Sequence, residues 1–184
     1  MTFSSLSGKN NNPDSLLSQR LEKIGVQEIS LWKEMVLKDE SLFLKIYSLI
    51  YCDNPRLAWH AAWVIDHVSE AEPSKLEIFV PEMIDHLSQL RSSSLKRHFT
   101  RMLLSQKIPE NRLGKLVDIL YNLLSPSEAV AVRANALQLL LNISMIEPEL
   151  QPELITITES ILEEELTPGM NSKAKSILRI LKRQ

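Results

Sequence analysis

The sequence predicts an all-α fold, a right-handed α-α superhelix of antiparallel helix pairs, because one pattern recurs along the chain. A twelve-residue stretch with apolar residues at helical spacing occurs four times, first at residues 57–68, and the copies follow at steps of 38, 37 and 38 residues. A fixed period of this length is typical of solenoids, in which no unit buries its apolar face alone. Only 4 glycines occur in 184 residues, which also suits helices.

The apolar residues of each copy fall in four columns, at its first, fifth, ninth and twelfth positions, a stripe of helical period. Three columns are apolar throughout: Leu57, Leu95, Val132 and Met170; Ala61, Phe99, Ala136 and Ala174; Ile65, Leu103, Leu140 and Leu178. The fourth holds Val68, Gln106, Ile143 and Leu181. Since Gln106 interrupts it, and Phe99 replaces the alanine of the other copies, we expect irregular packing in the second copy.

The repeat divides the chain into a tail and one repeat domain. Residues 1–13 lack apolar periodicity and predict a disordered tail, whereas the domain covers residues 14–184. Three helices expected in residues 14–52 do not match the columns, so we interpret them as a degenerate cap. The expected repeats and the last capping helix are 53–90, 91–124, 125–166 and 167–184.

Each repeat is expected to begin with a turn and to contain two helices. Proline and short polar side chains precede the patterned helices, where they suit turns and helix starts. Pro81 and Pro152 fall early in two of the second helices, where a missing N–H is tolerated or produces a kink. The second helices are expected at roughly 75–90, 111–124 and 150–166.

The patterned helices resemble those of the HEAT repeat family, whose units have an Ala-rich first helix after a proline-containing turn. The resemblance covers residues 53–184. It implies stacked antiparallel helix pairs and a scaffolding or adaptor role, with some nucleic-acid binders and a few enzymes in the family. The residues that carry it are Pro55, Leu57, Ala58, Ala61 and Ala62, and Val132, Arg133, Ala134, Ala136 and Leu137.

Two tryptophans in the first copy are part of a candidate interaction patch. A rotation of about 100° per residue places Trp59, Trp63 and Asp66 opposite the core stripe. The tryptophan columns hold Arg97 and Arg101 in the next copy, within reach if helices pack about 8–10 Å apart. Such a patch would hold a phosphate, a nucleic-acid backbone or an acidic peptide. The alternatives are a cation–aromatic contact between helices, or tryptophans covered by the N-terminal helices.

Charge along the chain predicts an acidic groove. Residues 147–166 contain seven glutamates without Lys or Arg, whereas residues 91–115 carry seven basic residues and one acid. Second helices usually line the concave surface of a solenoid, so a basic protein segment would suit this groove better than DNA. A solvated helix face is the alternative. The expected groove residues are Glu82, Asp85, Asp118, Glu159 and Glu163.

The sequence contains no motif for catalysis or cofactor binding. A phosphate-binding glycine loop, Cys-x-x-Cys, His-Glu-x-x-His and a nucleophile elbow are all absent, so we expect no cofactor, metal or catalytic residue. His60 and His98 share a column, but no neighbouring cysteine or carboxylate column completes a metal site. We expect both to be packed or solvated histidines.

Two alternative functions follow from resemblance. The Trp59, Trp63 and Asp66 set is similar to the residues that alkylpurine DNA glycosylases use beside a flipped base, although the basic surface for DNA is missing. Residues 91–96 include Ser-Ser-Ser-Leu-Lys, which is similar to the mobile loop of fumarase-type lyases. Those lyases are much longer chains.

Composition limits the partners. A net charge of -2 does not favour nucleic acid or an anionic membrane, and the single Cys52 forms no internal disulfide. Without a signal peptide or an apolar run of membrane-spanning length, we expect a cytoplasmic protein. We therefore expect a non-enzymatic interaction or scaffold module, monomeric or weakly dimeric, whose partner is a protein or peptide with basic segments.

Overall fold

The computed structural model describes residues 13–164 and 166–183, which contain ten α-helices, two short 3-10 helices and no strand. The all-α prediction is therefore confirmed. The predicted tail lies outside the described residues except for Pro13, which begins the first helix. The helices are α1 (Pro13–Leu21), α2 (Ile29–Lys38), α3 (Glu40–Leu49), α4 (Pro55–Ala71), α5 (Val80–Leu87), α6 (Ser93–Leu103), α7 (Glu110–Asn122), α8 (Val130–Ser144), α9 (Gln151–Leu162) and α10 (Pro168–Leu181), with 3-10 helices at Pro73–Phe79 and Pro148–Leu150.

Three of the four patterned helices, α4, α6 and α10, start at prolines or short polar side chains, as predicted, whereas α8 starts at Val130 after Ala129 without a side-chain cap. Pro55 and Pro168 are the first residues of α4 and α10, where the missing N–H has no partner within the helix in any case. The side-chain oxygen of Asn54 accepts hydrogen bonds of 3.1 and 3.2 Å from two backbone N–H groups in the first turn of α4. Ser92 and Thr167 cap α6 and α10 in the same way, at 3.4 Å.

Contacts divide the chain into unit 1, up to His67, and unit 2, from Val68. Unit 1 contains α1, α2 and α3, the three helices expected before the repeats, and α4 as far as His67. Aromatic rings of α3 and the turn after it form a continuous row, because Phe43 stacks on Tyr47 at 6.1 Å and Tyr47 meets the edge of Tyr51 at 5.5 Å. Fully buried side chains of this unit include Phe43, Leu21, Val36, Ile46, Ala61 and Ile65.

Unit 2 is organised around α8, which contacts α6, α7, α9 and α10. Helices that are buried around most of their circumference belong to the interior of a fold rather than to its surface. The position of α8 explains why its sequence is apolar on several faces. Its buried residues are Val132, Arg133, Ala136, Leu137, Leu139, Leu140, Leu141, Ile143 and Ser144.

The repeat columns mark core positions. Every member of the second column is fully buried, which confirms the predicted stripe, while Leu95 and Leu178 in the other columns are half-buried. Three of its members are alanines, whose small side chains allow neighbouring backbones to approach closely, so a larger polar side chain at those positions has no space and no partner. The members of the second column are Ala61, Phe99, Ala136 and Ala174.

The second helix of the first repeat differs from the prediction. In place of one helix over 75–90, the 3-10 helix at residues 73–79 leads into α5. The N–H of Val80 bonds to the carbonyl of Glu77, three residues back, and Pro81 has no N–H with which to form an α-helical bond. The α-helix begins at Val80, and Pro81 is its second residue, where a missing N–H is tolerated, one of the two outcomes expected there.

The second helix of the third repeat is also shorter than predicted. It begins with Pro152 as its second residue, as expected, but ends at Leu162 rather than at residue 166. The N–H groups of Glu163 and Glu164 bond to carbonyls three residues back, which tightens and ends the last turn. In the second repeat, α7 agrees with the expected helix to within two residues at either end.

The second copy is irregular, as expected. α6 ends at Leu103, three residues before Gln106, whereas the fourth-column residues of the other copies lie within α4, α8 and α10. The Gln106 Nε2 donates a hydrogen bond of 3.1 Å to the carbonyl of Pro73, and its Oε1 is buried without a hydrogen-bond partner. A polar side chain in the apolar column thus coincides with an early helix end.

Ion pairs connect the patterned helices α6 and α8 of unit 2 to later turns of the chain. Lys96 and Arg133 occupy the second position of their copies. Lys96 pairs with Glu128 near the start of the next repeat, and Arg133 pairs with Glu164 near the end of its own repeat. Arg133 is buried, and its Nη2 donates to both Glu164 carboxylate oxygens at 2.8 and 2.7 Å. Its Nε donates to the carbonyl of Leu124 at 2.9 Å. The buried guanidinium therefore depends on partners from two turns.

Glu164→Ala should lower the free energy of unfolding by about 1–3 kcal/mol, because it leaves the buried guanidinium of Arg133 without its carboxylate. Glu163→Ala, at the exposed neighbouring position, should change it by less than about 0.5 kcal/mol. Urea unfolding of both variants measures the difference. Equal losses would mean that the ion pair adds nothing to stability.

Ala136→Arg should unfold the chain or lower its free energy of unfolding by more than about 3 kcal/mol, since a charged side chain would enter a fully buried column. Ala131→Arg, at an exposed position of the same helix, provides the control. Thermal unfolding followed by circular dichroism compares them. An Ala136→Arg protein as stable as the control would show that the repeat register is wrong.

Candidate functional site

The two tryptophans of the candidate patch lie in unit 1, on α4, and form a stacked pair. The Trp59 and Trp63 rings are 6.0 Å apart and nearly parallel, at 6°. His60 lies 4.6 Å from the Trp59 ring, and His67 lies 6.3 Å from the Trp63 ring. Both tryptophans are half-buried, and the Trp59 indole nitrogen is buried without a hydrogen-bond partner. The two tryptophans are therefore partly packed against neighbouring residues and partly accessible to solvent.

Asp66 is not on the outer face, where the helical projection placed it. It is 2% exposed, so Asp66 is a buried acid rather than a member of a surface patch. The projection assumed a helix with one buried face, but Ala58, Ala62 and Val64 are buried on other faces of α4 as well. Because the Asp66 carboxylate is buried, it does not support the resemblance to alkylpurine DNA glycosylases, which requires contact with a flipped base.

The two arginines of the candidate patch belong to unit 2, on α6, and both are exposed. The guanidinium of Arg101 pairs with Glu70 at 3.4 Å, and the backbone carbonyl of Arg97 accepts a hydrogen bond of 3.3 Å from Asn135. An exposed ion pair of this kind contributes little to stability and leaves the arginine accessible.

Both histidines of the shared column are packed rather than solvated. His60 and His98 are almost fully buried. Burial lowers the pKa of His60 below its ordinary value of 6.5, the charge of Arg56 lowers it further, and the carbonyls of Leu21 and Glu22 act in the opposite direction. The neutral imidazole is therefore the form that unit 1 accommodates. Among the described residues, no group of three or more His, Cys, Asp or Glu is placed to hold a metal ion.

The predicted groove acids are on the surface of unit 2, but cations compensate two of them. Asp85 bonds to Lys115 at 2.8 Å and to Arg112 at 3.1 Å. The hydrogen bond from Lys115 lowers the pKa of Asp85, and the charges of Arg112 and Lys115 add to this effect. Glu159 pairs with Lys182. The remaining members, Glu82, Asp118 and Glu163, are exposed.

An apolar pocket of about 210 Å³ opens in unit 2 where α6 and α8 end and α7 begins. Its volume is below the range of about 300–1,000 Å³ typical of small-molecule sites, and corresponds to a single large side chain. Ile146 borders the pocket and is 73% exposed. Ile146 and the apolar lining of the pocket together form a contiguous apolar surface, and surfaces of this kind are candidate interaction sites. The apolar lining also includes Leu103, Leu104, Ile108, Leu113, Leu139 and Ile143, with Gln106, Lys107, Glu110, Asn142 and Glu147 as polar members.

Comparison with known families identifies the architecture. A HEAT repeat domain model matches residues 14–181. The chain belongs to the HEAT repeat family. No curated protein and no solved structure matches it. HEAT repeats typically mediate protein interactions, and no helix among the described residues is long and apolar enough to cross a membrane.

The pocket of this HEAT repeat protein was not predicted from its sequence. Gln106 was recognised as an interruption of the apolar column, but an interruption alone does not show that a cavity results. Ile146 gave no usable signal either, because in the sequence it resembles the core residues of the patterned helix that it follows. Its exposure depends on where α8 ends.

The folded HEAT repeat protein should lose stability as pH falls below about 6.5, in part through His60. The unfolded chain takes up a proton near that pH, whereas the folded chain resists it because its His60 pKa is lower. This contribution is absent above the unfolded pKa and grows until pH reaches the folded pKa. Urea unfolding at about pH 7.5 and 5.5 should show a smaller loss for His60→Gln than for the native chain. Identical losses would mean that His60 does not titrate differently on unfolding.

Proposed function

We propose that this HEAT repeat protein is a non-enzymatic interaction module that binds a segment of a partner protein at the apolar pocket of unit 2. The observation that carries the proposal is the exposed Ile146 beside a pocket with the size of one side chain. Binding energy at protein interfaces is concentrated in a few apolar or aromatic side chains that fill such pockets. Burying Ile146 together with the incoming side chain would remove both from water.

The charges beside the pocket favour a basic partner segment. Glu110 and Glu147 contribute to the lining against a single cation, Lys107. Glu149 and Glu153 follow along the chain and are exposed. A Lys or Arg next to the apolar anchor of the partner would therefore find complementary charge, which increases the association rate and selects the orientation.

The acidic residues on the second helices have a supporting role in this proposal. Because Asp85 and Glu159 already have cationic neighbours, their charges contribute less to a distant partner than the sequence alone indicated. Asp118 and Glu163 are exposed and add to the negative field. We therefore propose that they attract a basic segment, and that the pocket then holds its apolar anchor.

A labelled synthetic peptide with one phenylalanine between lysines tests this proposal by fluorescence polarisation with the full chain. Ile146→Asp should weaken binding by about tenfold or more, because it places a charge where the apolar contact would form. Ile78→Asp is the matched control, since Ile78 is 80% exposed in the same unit and does not line the pocket. Its affinity should equal that of the native chain.

Replacing the phenylalanine of the peptide by serine separates the anchor from the charges. We expect the serine peptide to bind weakly and with a strong dependence on salt, because only screened charge attraction remains. If both peptides bind equally well, or if Ile78→Asp is as harmful as Ile146→Asp, the pocket is not the binding site.

A further inference from the structure

We propose that a second docking surface, independent of the unit 2 pocket, lies in the groove between α1 and α2 of unit 1 and binds an acidic amphipathic helix of a partner protein. The groove has a volume of about 470 Å³. Leu16 of α1 and Leu31, Trp32 and Met35 of α2 contribute its apolar part. A contiguous apolar surface of this kind indicates an interaction site.

The distribution of apolar residues around α2 supports a partner. Ile29 and Val36 are buried and account for the stripe that one side of α2 presents to the core. Leu31 and Met35 are exposed at i and i+4, so they form a second apolar face, which borders the groove. A helix packed only against its own core needs one apolar stripe. The second face of α2 is explained if another helix covers it.

The charges at the groove select an acidic partner. Arg20 and Lys23 line it, and both are exposed. Glu28 is the acidic member of the lining, but one of its carboxylate oxygens accepts a 3.0 Å hydrogen bond from the backbone N–H of Gly25. This hydrogen bond holds the Glu28 carboxylate at the turn between α1 and α2, and the two cations of the lining exceed its one acid. Arg20 and Lys23 would therefore be complemented by carboxylates on the partner helix.

The dimensions of the groove suit a helix. α1 has 9 residues and α2 has 10, so each wall is roughly 15 Å long at about 1.5 Å per residue. Partner helices in such grooves present apolar anchors at i, i+3 or i+4, and i+7, over a similar distance. A partner helix with leucines at these positions and glutamates on both flanks would match the apolar floor and the basic rim.

The test uses the full chain and a labelled peptide of about 16 residues, roughly four helical turns, with leucines at helical spacing and glutamates on the flanks. A second peptide carries lysine at every glutamate position. Polarisation should show that the acidic peptide binds at least about tenfold more tightly than the basic one. Equal affinities for the two peptides would overturn the proposed partner chemistry.

Matched variants locate the site. Met35→Asp should weaken binding of the acidic peptide by about tenfold or more, whereas Leu44→Asp should leave its affinity unchanged. The two side chains are 45% and 47% exposed in the same unit, and only Met35 lines the groove. Equal effects of these two substitutions would contradict the proposed site.

Charge reversal tests the partner chemistry without changing the apolar residues of the groove. The Arg20→Glu/Lys23→Glu double variant should prefer the lysine peptide, while Lys38→Glu, outside the groove, should retain the native preference. Trp32 gives a second signal, because its emission should change when the acidic peptide binds and the change should be absent in Trp32→Phe. An unchanged preference in the double variant would overturn the proposal.

Two other occupants have distinct signatures. If a second copy covers the groove, sedimentation velocity should show a dimer that Met35→Asp dissociates, which would overturn the assignment to a partner helix. Tighter binding of a single-stranded oligonucleotide than of the acidic peptide would also overturn it. Ile146→Asp should leave the acidic peptide unaffected, so failure of the unit 2 proposal and failure of this one are distinguishable.

Discussion

Burial of α8 around most of its circumference is the constraint on which the structure of unit 2 depends. Four helices pack against it, and even its charged residue, Arg133, is buried. A buried guanidinium requires partners, and Leu124 and Glu164 supply them from turns on both sides of the repeat. Apolar packing and the ion pair therefore act together to set the spacing of successive helix pairs.

The same packing produces the candidate binding site. α6 stops at Leu103, so the following segment and the beginning of α7 border a space that the apolar end of α8 also lines. Gln106 does not fill this space, because its amide is used to reach the carbonyl of Pro73. A defect in one repeat thus gives unit 2 a local feature that a perfectly regular array would lack, next to the exposed Ile146.

The repeat was predictable because periodic burial leaves a periodic pattern. The alanine column of α8 and α10 and the turn prolines placed the patterned helices correctly. Helix ends were less predictable. The change from 3-10 helix to α5 and the last turn of α9 depend on individual backbone hydrogen bonds, which the repeat pattern does not show. Asp66 was misplaced because a helical projection describes one buried face and cannot show that α4 is buried on several.

The candidate sites were harder to predict than the fold because exposure depends on the neighbours of a residue rather than on its own type. Ile146 and Leu31 look like ordinary core residues in the sequence, and the two faces of α2 separate only once Val36 is seen to be buried. The acidic groove was predicted from charge alone. Its strength was overestimated, because Arg112, Lys115 and Lys182 belong to other helices or turns and their proximity to acids follows from packing.

Amide hydrogen exchange of the full chain, with and without the basic peptide that carries one phenylalanine, tests the role of the unit 2 pocket. Binding there should slow exchange at residues 103–113 and 139–147, which form its lining, and leave α1 and α2 unchanged. Slower exchange elsewhere in the chain, with none at these residues, would contradict the proposal that a HEAT repeat irregularity forms the binding site.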